Sequence, residues 1–322
     1  MTEQLPTVSV IIPCYNQARF LADAIASARD QRDVTIDVIV VDDGSTDDTQ
    51  TVARRCGATL VAQTNRGVAA ARNAGLHAAS GEFVIFLDAD DELLPDAGSS
   101  GCDLLRRIPV AAAVGRRCRI IAADGTPLHT NPPPPAFGTI YGELLHRNVI
   151  WTPGAVVFRR AAIAAAGGFA DGVSPSADYA VYLQLARAGR LVFDGREAVR
   201  YRQHSANMSR DPVLMLHATM AVLARERSSL PRSWLRAHAS GRQAWSAYYG
   251  EQIVEQMRIE ARGQRRPREL ARAAHVLVRY CRPTIAAHAR RKLARLARGI
   301  AAARLERGRF SVPSGGTSDA GG

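Results

Sequence analysis

An open α/β sheet with helices on both faces, followed by a basic helical region, is the architecture this sequence predicts, and three observations predict it. Through about residue 210, β-branched apolar runs alternate with amphipathic segments of helical length. The charge divides at the same place: residues 1–210 hold 21 Arg against 22 Asp and Glu, whereas residues 211–322 hold 20 Arg and one Lys against 8 acids. The chain of 322 residues is also 47% hydrophobic, enough to bury the core of one large domain or two ordinary ones.

Thr7–Ile12 is β-branched and almost continuously apolar, as a central strand buried on both faces must be, and Pro13 is expected to end it. A helix fits Gln17–Arg29, and Ile36–Val41 forms a second strand. Ser45 or Thr46 then caps a helix to Arg55, with Asp47 and Asp48 in its first turn, where the helix dipole favours acids. Ala58–Ala62 reads as a short third strand, Gly67–Ala79 as a helix, and Glu82–Leu87 as a fourth strand. Beyond Pro212 come helices over Val213–Arg227, Arg232–Arg262, Arg268–Tyr280 and Ile285–Arg307, each with a proline near its start. The expected domains are 1–210, 211–310 and a Gly/Ser-rich tail, 311–322, with no apolar periodicity.

Composition excludes several chemistries. The single lysine is Lys292, so the first 291 residues contain neither a Walker-type phosphate lysine nor a Schiff-base lysine. Five scattered cysteines without a C-x-x-C pair fit reduced thiols rather than a disulfide framework or zinc cage. No G-x-G-x-x-G disfavours dinucleotide-dependent redox chemistry. With neither a membrane-length apolar run nor a signal-like start, a cytoplasmic location is expected.

Open α/β sheets bind ligands beyond the carboxyl ends of their strands, so Pro13–Asn16, Asp42–Ser45 and Asp88–Asp91 should share one crevice. Five carboxylates (Asp42, Asp43, Asp88, Asp90 and Asp91) following apolar strands need cationic or donating partners. Hard oxygen ligands suit Mg²⁺ or Mn²⁺, which take one or two protein carboxylates and complete their shells with phosphate and water oxygens. A nucleoside diphosphate is therefore the expected partner.

Val8-Ser-Val-Ile-Ile-Pro-Cys-Tyr-Asn16, Val40-Val-Asp-Asp-Gly-Ser-Thr-Asp47, Asn65-Arg-Gly-Val-Ala-Ala-Ala-Arg-Asn-Ala-Gly75 and Phe86-Leu-Asp-Ala-Asp-Asp91 resemble the successive motifs of family 2 glycosyltransferases. The likeness continues through Gly167–Phe169, Ala177–Tyr179 and Tyr201–His204, covering roughly residues 6–210. It implies the GT-A fold, a Rossmann-like open mixed sheet, and inverting transfer of a sugar from a nucleotide donor, with a UDP-sugar expected. It places Pro13 and Tyr15 against the nucleobase, Asp43 on its polar edge, Arg72 near base and phosphates, and Asp88 toward the ribose. Asp90 and His204 become metal ligands, with Asp91 and Asp42 as possible supports. Asp178 matches the catalytic base, although Ala177 and Ala180 stand where the family usually carries further acids.

Trp151, just before an expected strand over Gly154–Phe158, is a candidate platform for an acceptor sugar, since an aromatic face stacks on a pyranose ring. Gln184-Leu-Ala-Arg187 lacks the tryptophan that follows in processive synthases, so single-sugar transfer to a glycan or lipid-linked acceptor is expected. In Ile285–Arg307, leucines and isoleucines interleave with Arg290, Arg291, Lys292, Arg295, Arg298 and Arg304. Such a helix either lies on the anionic inner face of a plasma membrane or packs its apolar side on the catalytic domain. Nucleic-acid binding lacks a helix-turn-helix or RNA-binding signature. The competing functions are a sugar nucleotidyltransferase, which would want a glycine-rich basic segment near the first strand, and a degenerate sugar-nucleotide-binding scaffold.

Overall fold

The computed structural model describes residues 4–133, 139–170, 172–262, 267–290 and 294. It divides into two compact units, Met1–Trp245 and Ser246–Gly322. The first opens with β1 (Thr7–Cys14), α1 (Ala18–Arg29), β2 (Thr35–Asp42), α2 (Thr49–Arg55), β3 (Thr59–Ala62), α3 (Val68–Ala78) and β4 (Phe83–Phe86). These strands lie parallel in the order β3-β2-β1-β4. Val10, Ile11, Ile12, Val40 and Val41 are fully buried, as expected of strands covered on both faces. α1 turns Phe20, Leu21, Ala24, Ile25 and Ala28 inward at helical spacing.

The second half of the sheet is mixed. After β5 (Glu92–Leu93), α4 (Ala97–Arg107), β6 (Ala113–Ala122), β7 (Pro127–Thr130) and α5 (Ile140–His146) come β8 (Val156–Arg159), α6 (Arg160–Ala165), α7 (Ala177–Arg187) and β9 (Leu191–Gln203). The sheet continues β4-β8-β6-β9-β5, with β7 on β6. β8 runs antiparallel to both β4 and β6, while β9 runs parallel to β6 and antiparallel to β5. The parallel β6–β9 pair carries the end of β9 to the acid-rich segment after β4.

Three local expectations need correction. Pro13 lies inside β1 and pairs with Val41. Its position faces β4, whose pairing with β1 ends at Ile11 and Phe86, so the missing N–H breaks no ladder bond. The cap of α2 is Asp48, not Ser45 or Thr46, because those two side chains and their backbone are used in tying the strand-end loops together. The strand expected over 154–158 begins only at Val156, after a 3-10 turn at Pro153–Ala155.

The helical region begins with α8 (Pro212–Glu226), whose first turn is capped by Asp211 through Val213 N–H and Leu214 N–H at 3.0 and 2.9 Å. Then follow α9 (Leu235–Arg262) and α10 (Pro267–Tyr280). The first unit continues past the change in composition at residue 210 because α8 is bonded into it. Glu226 accepts from Tyr141 Oη at 2.7 Å and Arg187 Nε at 2.8 Å, and His238 Nε2 meets the Leu223 carbonyl at 2.7 Å. Within the second unit, Ile253, Ala273, Val276, Leu277 and Cys281 are buried, and Cys281 Sγ donates to the Ser246 carbonyl at 3.2 Å. Residues 282–290 are helical. Most of the expected 285–307 helix and the whole 311–322 tail lie outside the described residues. Among the described residues, no helix is long and apolar enough to cross a membrane.

Candidate functional site

The loops after β1 and β2 are locked to each other. Asn16 adopts a left-handed conformation (φ 54°), from which its N–H donates to Ser45 Oγ at 2.9 Å and its Oδ1 accepts from Thr46 N–H at 2.8 Å. Asp42 is fully buried and accepts from Ser45 N–H at 2.9 Å and Gln50 Nε2 at 2.7 Å. These bonds make it a brace between the loop and α2.

Asp43 holds a second loop. Its carboxylate accepts from Gln63 Nε2, Arg66 N–H and Gly67 N–H, each at 2.8 Å. The approach is tight, since a Cβ on Gly44 (φ 78°) would lie 2.8 Å from Asn65 N. A carboxylate has about four acceptor positions, so one remains unfilled by these bonds. Tyr15, in the loop after β1, is 49% exposed.

Arg72, on α3, is 4% exposed, yet only Nη2 is satisfied, donating to Asp88 Oδ1 at 2.8 Å. Its Nε and Nη1 have no partner, and its guanidinium sits 5.3 Å from the centre of the Phe169 ring. Buried donors without acceptors are costly, and an anion such as a phosphate would satisfy them.

The end of β9 supplies the other wall. His204 Nε2 lies 2.8 Å from Asp90 Oδ2, and its Nδ1 accepts from Ala206 N–H at 3.2 Å, so in the neutral ring the proton sits on Nε2 and points at Asp90. Phe20 stacks on the imidazole with centroids 5.2 Å apart. Asn207 accepts from His204 N–H and donates to Asp90 Oδ2 at 3.4 Å. Burial raises the Asp90 carboxyl above its ordinary value and Asp88 adds to this, with His204 opposing.

Asp91 points the other way, accepting from Thr152 Oγ1 at 2.8 Å and Arg202 N–H at 3.0 Å. Burial, then the charges of Asp90 and Asp88, push it well above the carboxylate range. Its oxygens tie β9 to the segment before β8. Among the described residues, no group of three or more His, Cys, Asp and Glu side chains is placed to hold an ion. A hard cation at Asp90 would have to displace the His204 Nε2 proton before the imidazole could serve as a ligand, its remaining positions going to phosphate and water.

Across from this wall, Asn73 of α3 bonds Phe169 twice, N–H to Oδ1 and Nδ2 to carbonyl, both at 2.8 Å. That clamp fixes the glycine turn, where a Cβ on Gly168 (φ 66°) would lie 2.4 Å from Asn73 Oδ1. Asp178 follows in the first turn of α7, whose cap position belongs to Ser176. Burial raises the Asp178 carboxyl, and Arg72 opposes that shift. Trp151 is 38% exposed and meets His129 edge to face at 6.4 Å.

The structure thus draws Asp43, Arg72, Asp88, Asp90, His204 and Asp178 to one edge of the sheet and turns Asp42 and Asp91 inward. Phe20, Asn73 and Asn207 were missed. Asn73 lies within a quoted motif and so carried a readable signal.

Residues 9–165 match the family model for glycosyl transferase family 2, a span that ends before Asp178 and His204. The chain is similar to chondroitin synthase of Escherichia coli, 29% identical over 192 residues, which are 58% of this chain and 27% of that protein. The chain thus spans about a quarter of that relative's length. Two solved structures share its fold. The mannosyltransferase PcManGT of Pyrobaculum calidifontis, in complex with GDP-Man and Mn²⁺, is 20% identical with a TM-score of 0.57, covering 88% of this chain and 83% of its own. TarS 1-349 of S. aureus, in complex with UDP-GlcNAc, is 17% identical with a TM-score of 0.57, covering 85% and 80%.

Proposed function

Through residues 9–165 this chain belongs to glycosyl transferase family 2, and on that premise we propose that it is a metal-dependent, inverting, non-processive transferase of the GT-A fold. It moves one sugar from a nucleoside-diphosphate donor, a UDP-sugar by preference, to a glycan or lipid-linked acceptor. The observation that carries this reading is Arg72, buried between Asp88 and Asp178 with two unsatisfied donors in a crevice whose far wall is Asp90 and His204. Donors bound to similar proteins, UDP-GlcNAc and GDP-Man with Mn²⁺, support a nucleotide sugar and a divalent ion.

In this reading Tyr15 and Pro13 line the base, and the last free position on Asp43 accepts a base N–H. Asp88 orients Arg72 and faces the ribose. Asp90 and His204 would hold Mg²⁺ or Mn²⁺, which when bound offsets charge on the departing diphosphate. Arg72 supplies the protein's own positive charge there. Asp178 takes the proton of the acceptor hydroxyl as its oxygen attacks the anomeric carbon from the face opposite the diphosphate. The bond from that carbon to the phosphate oxygen breaks, and its electron pair leaves with the nucleotide. Trp151 and His129 offer an aromatic rim to an acceptor sugar.

The test is a thermal-shift screen of nucleoside diphosphates and nucleotide sugars with and without Mn²⁺, followed by assay of nucleotide release with an oligosaccharide acceptor. Stabilisation by a nucleoside diphosphate only with metal present, and acceptor-dependent release, are expected. Donor binding without release under any acceptor would instead identify a binding protein.

The basic last third fits delivery of the enzyme to acceptors on an anionic membrane surface. The protein should sediment with anionic vesicles and not with neutral ones, and salt should release it. Each arginine near such a surface contributes about 1 kcal/mol, fading within a Debye length. Deleting residues 285–322 should abolish sedimentation while transfer to a short soluble acceptor continues. If the deleted protein aggregates, that segment belongs to the core.

A further inference from the structure

Arg202 lies within the Tyr201–His204 motif, and the transfer chemistry above gives its side chain no role. It is 4% exposed, yet unlike Arg72 it leaves no nitrogen without a partner. Nε donates to the Asp90 carbonyl at 3.0 Å, Nη1 to the Ala123 carbonyl in the turn between β6 and β7 at 3.0 Å, and Nη2 to the Glu92 carboxylate. Its main chain is engaged at the same place. The N–H donates to Asp91 Oδ1 at 3.0 Å, and the carbonyl accepts from Asn207 Nδ2 at 3.1 Å, the amide that also reaches Asp90 Oδ2 at 3.4 Å. The guanidinium sits 5.1 Å from the centre of the Phe20 ring, on which His204 stacks.

Resting on the reading of Asp90 as the acid that serves the departing diphosphate, we propose that Arg202 is its positioning residue: Nε holds the Asp90 carbonyl while the Arg202 N–H holds the Asp91 carboxylate, which turns the two neighbouring acids to opposite sides and aims Asp90 at His204. A carbonyl held in one direction fixes the planar peptide that joins Asp90 to Asp91. With Asp91 drawn to β9, the Asp90 carboxylate is left facing His204 Nε2 at 2.8 Å. The bonds to Ala123 and Glu92 fix the fork in turn, because a planar guanidinium bonded at all three nitrogens cannot swing. Lysine keeps the charge, but its single nitrogen on a flexible stem cannot reproduce that fork. Arg200 is the natural comparison, since its Nη1 donates to the other oxygen of Glu92 at 2.8 Å and its side chain is 40% exposed.

The experiment reads the His204 Nε2 proton by nitrogen-15 NMR in ligand-free protein, assigned by its loss in His204→Gln, for the wild type, Arg202→Lys and Arg200→Gln. A ring proton bonded to a buried carboxylate resonates far downfield and exchanges slowly with water. In Arg202→Lys the signal should move upfield and its exchange should quicken by about tenfold or more, the loss of one charge-assisted bond, while in Arg200→Gln it should stay in place. With saturating UDP, Mn²⁺ binding followed by electron paramagnetic resonance should weaken about 10- to 100-fold in Arg202→Lys, and transfer should fall by a similar factor, as for other groups that orient a metal's ligand. Arg200→Gln should match the wild type in both. Affinity and proton shift are properties of the folded molecules, so a lower melting temperature by itself does not produce them.

An unmoved His204 proton in Arg202→Lys overturns the proposal and leaves the arginine a brace for the fold. So does an equal shift in Arg200→Gln, since a general loosening of β5 and β9 would then carry the effect. If Arg202→Lys does not fold, Glu92→Gln, which removes the charge that holds the fork, is read in the same way: an upfield shift supports the proposal and an unmoved signal overturns it. A shifted proton with unchanged Mn²⁺ binding and transfer instead keeps Arg202 as the residue that aims Asp90 and removes Asp90 as the ion's ligand, so the two assignments fail separately.

Discussion

Replacing Asp178 with asparagine is expected to lower sugar transfer by about two to four orders of magnitude, the range for losing a positioned general base, while donor binding stays within a few-fold of the wild type. The amide keeps the volume of the side chain in the first turn of α7 and cannot take a proton from the acceptor hydroxyl. Arg72 keeps its 2.8 Å bond to Asp88 in this variant, so the phosphate-facing donors remain oriented. The wild-type pH profile carries a second signature. Burial raises the Asp178 carboxyl, and a base must be ionised to act, so transfer should fail on acidification at a higher pH than an exposed aspartate would dictate. Arg72 opposes the shift, and removing its charge with Arg72→Gln should move the limb higher still. Initial rates across pH, with donor binding measured separately, check both points. Undiminished turnover in Asp178→Asn would place the base elsewhere.

The parallel half of the fold was legible because it is local. Buried parallel strands are continuous apolar runs, and β1, β2 and β4 each announce themselves within six or so residues. The mixed half was legible only at β8, since β6 and β9 pair across long separations and carry polar positions: β9 holds Asp194, Arg196, Glu197, Arg200 and Arg202 among its apolar residues. The site divides the same way. Both aspartate pairs were visible as acids after strands, but which member of each turns inward depends on a one-residue alternation that composition cannot resolve. Asp42 and Asp91 turn inward because Ser45, Gln50, Thr152 and Arg202 bring donors to that side. His204 stands 114 residues beyond Asp90, so only the family resemblance, and not spacing, could join them.

Asp90 carries the second large expected effect. Exchanging it for asparagine should cut transfer by about three orders of magnitude and remove the Mn²⁺ dependence of nucleoside-diphosphate stabilisation, since losing one group aimed at transition-state charge commonly costs that much. Asparagine is the informative substitution. His204 Nε2 points at Asp90 Oδ2, and alanine would leave that buried donor unpaired at a cost of about 1–3 kcal/mol, whereas Asn207 Nδ2 would keep its bond to the Arg202 carbonyl at 3.1 Å. The carboxamide oxygen can still accept from His204, so the fold of the β9 turn survives while the anionic ligand is lost. The variant should therefore melt close to the wild type in the absence of ligand, and adding nucleoside diphosphate with Mn²⁺ should raise its melting temperature no more than nucleoside diphosphate with EDTA. Two outcomes overturn the metal-bridged site: a wild type stabilised equally with and without EDTA, or an Asp90→Asn variant that keeps its Mn²⁺ requirement. In the second case the ion would be held by phosphate and water on the Asp88 side of the crevice, and Arg72 rather than Asp90 would set the position of the leaving diphosphate.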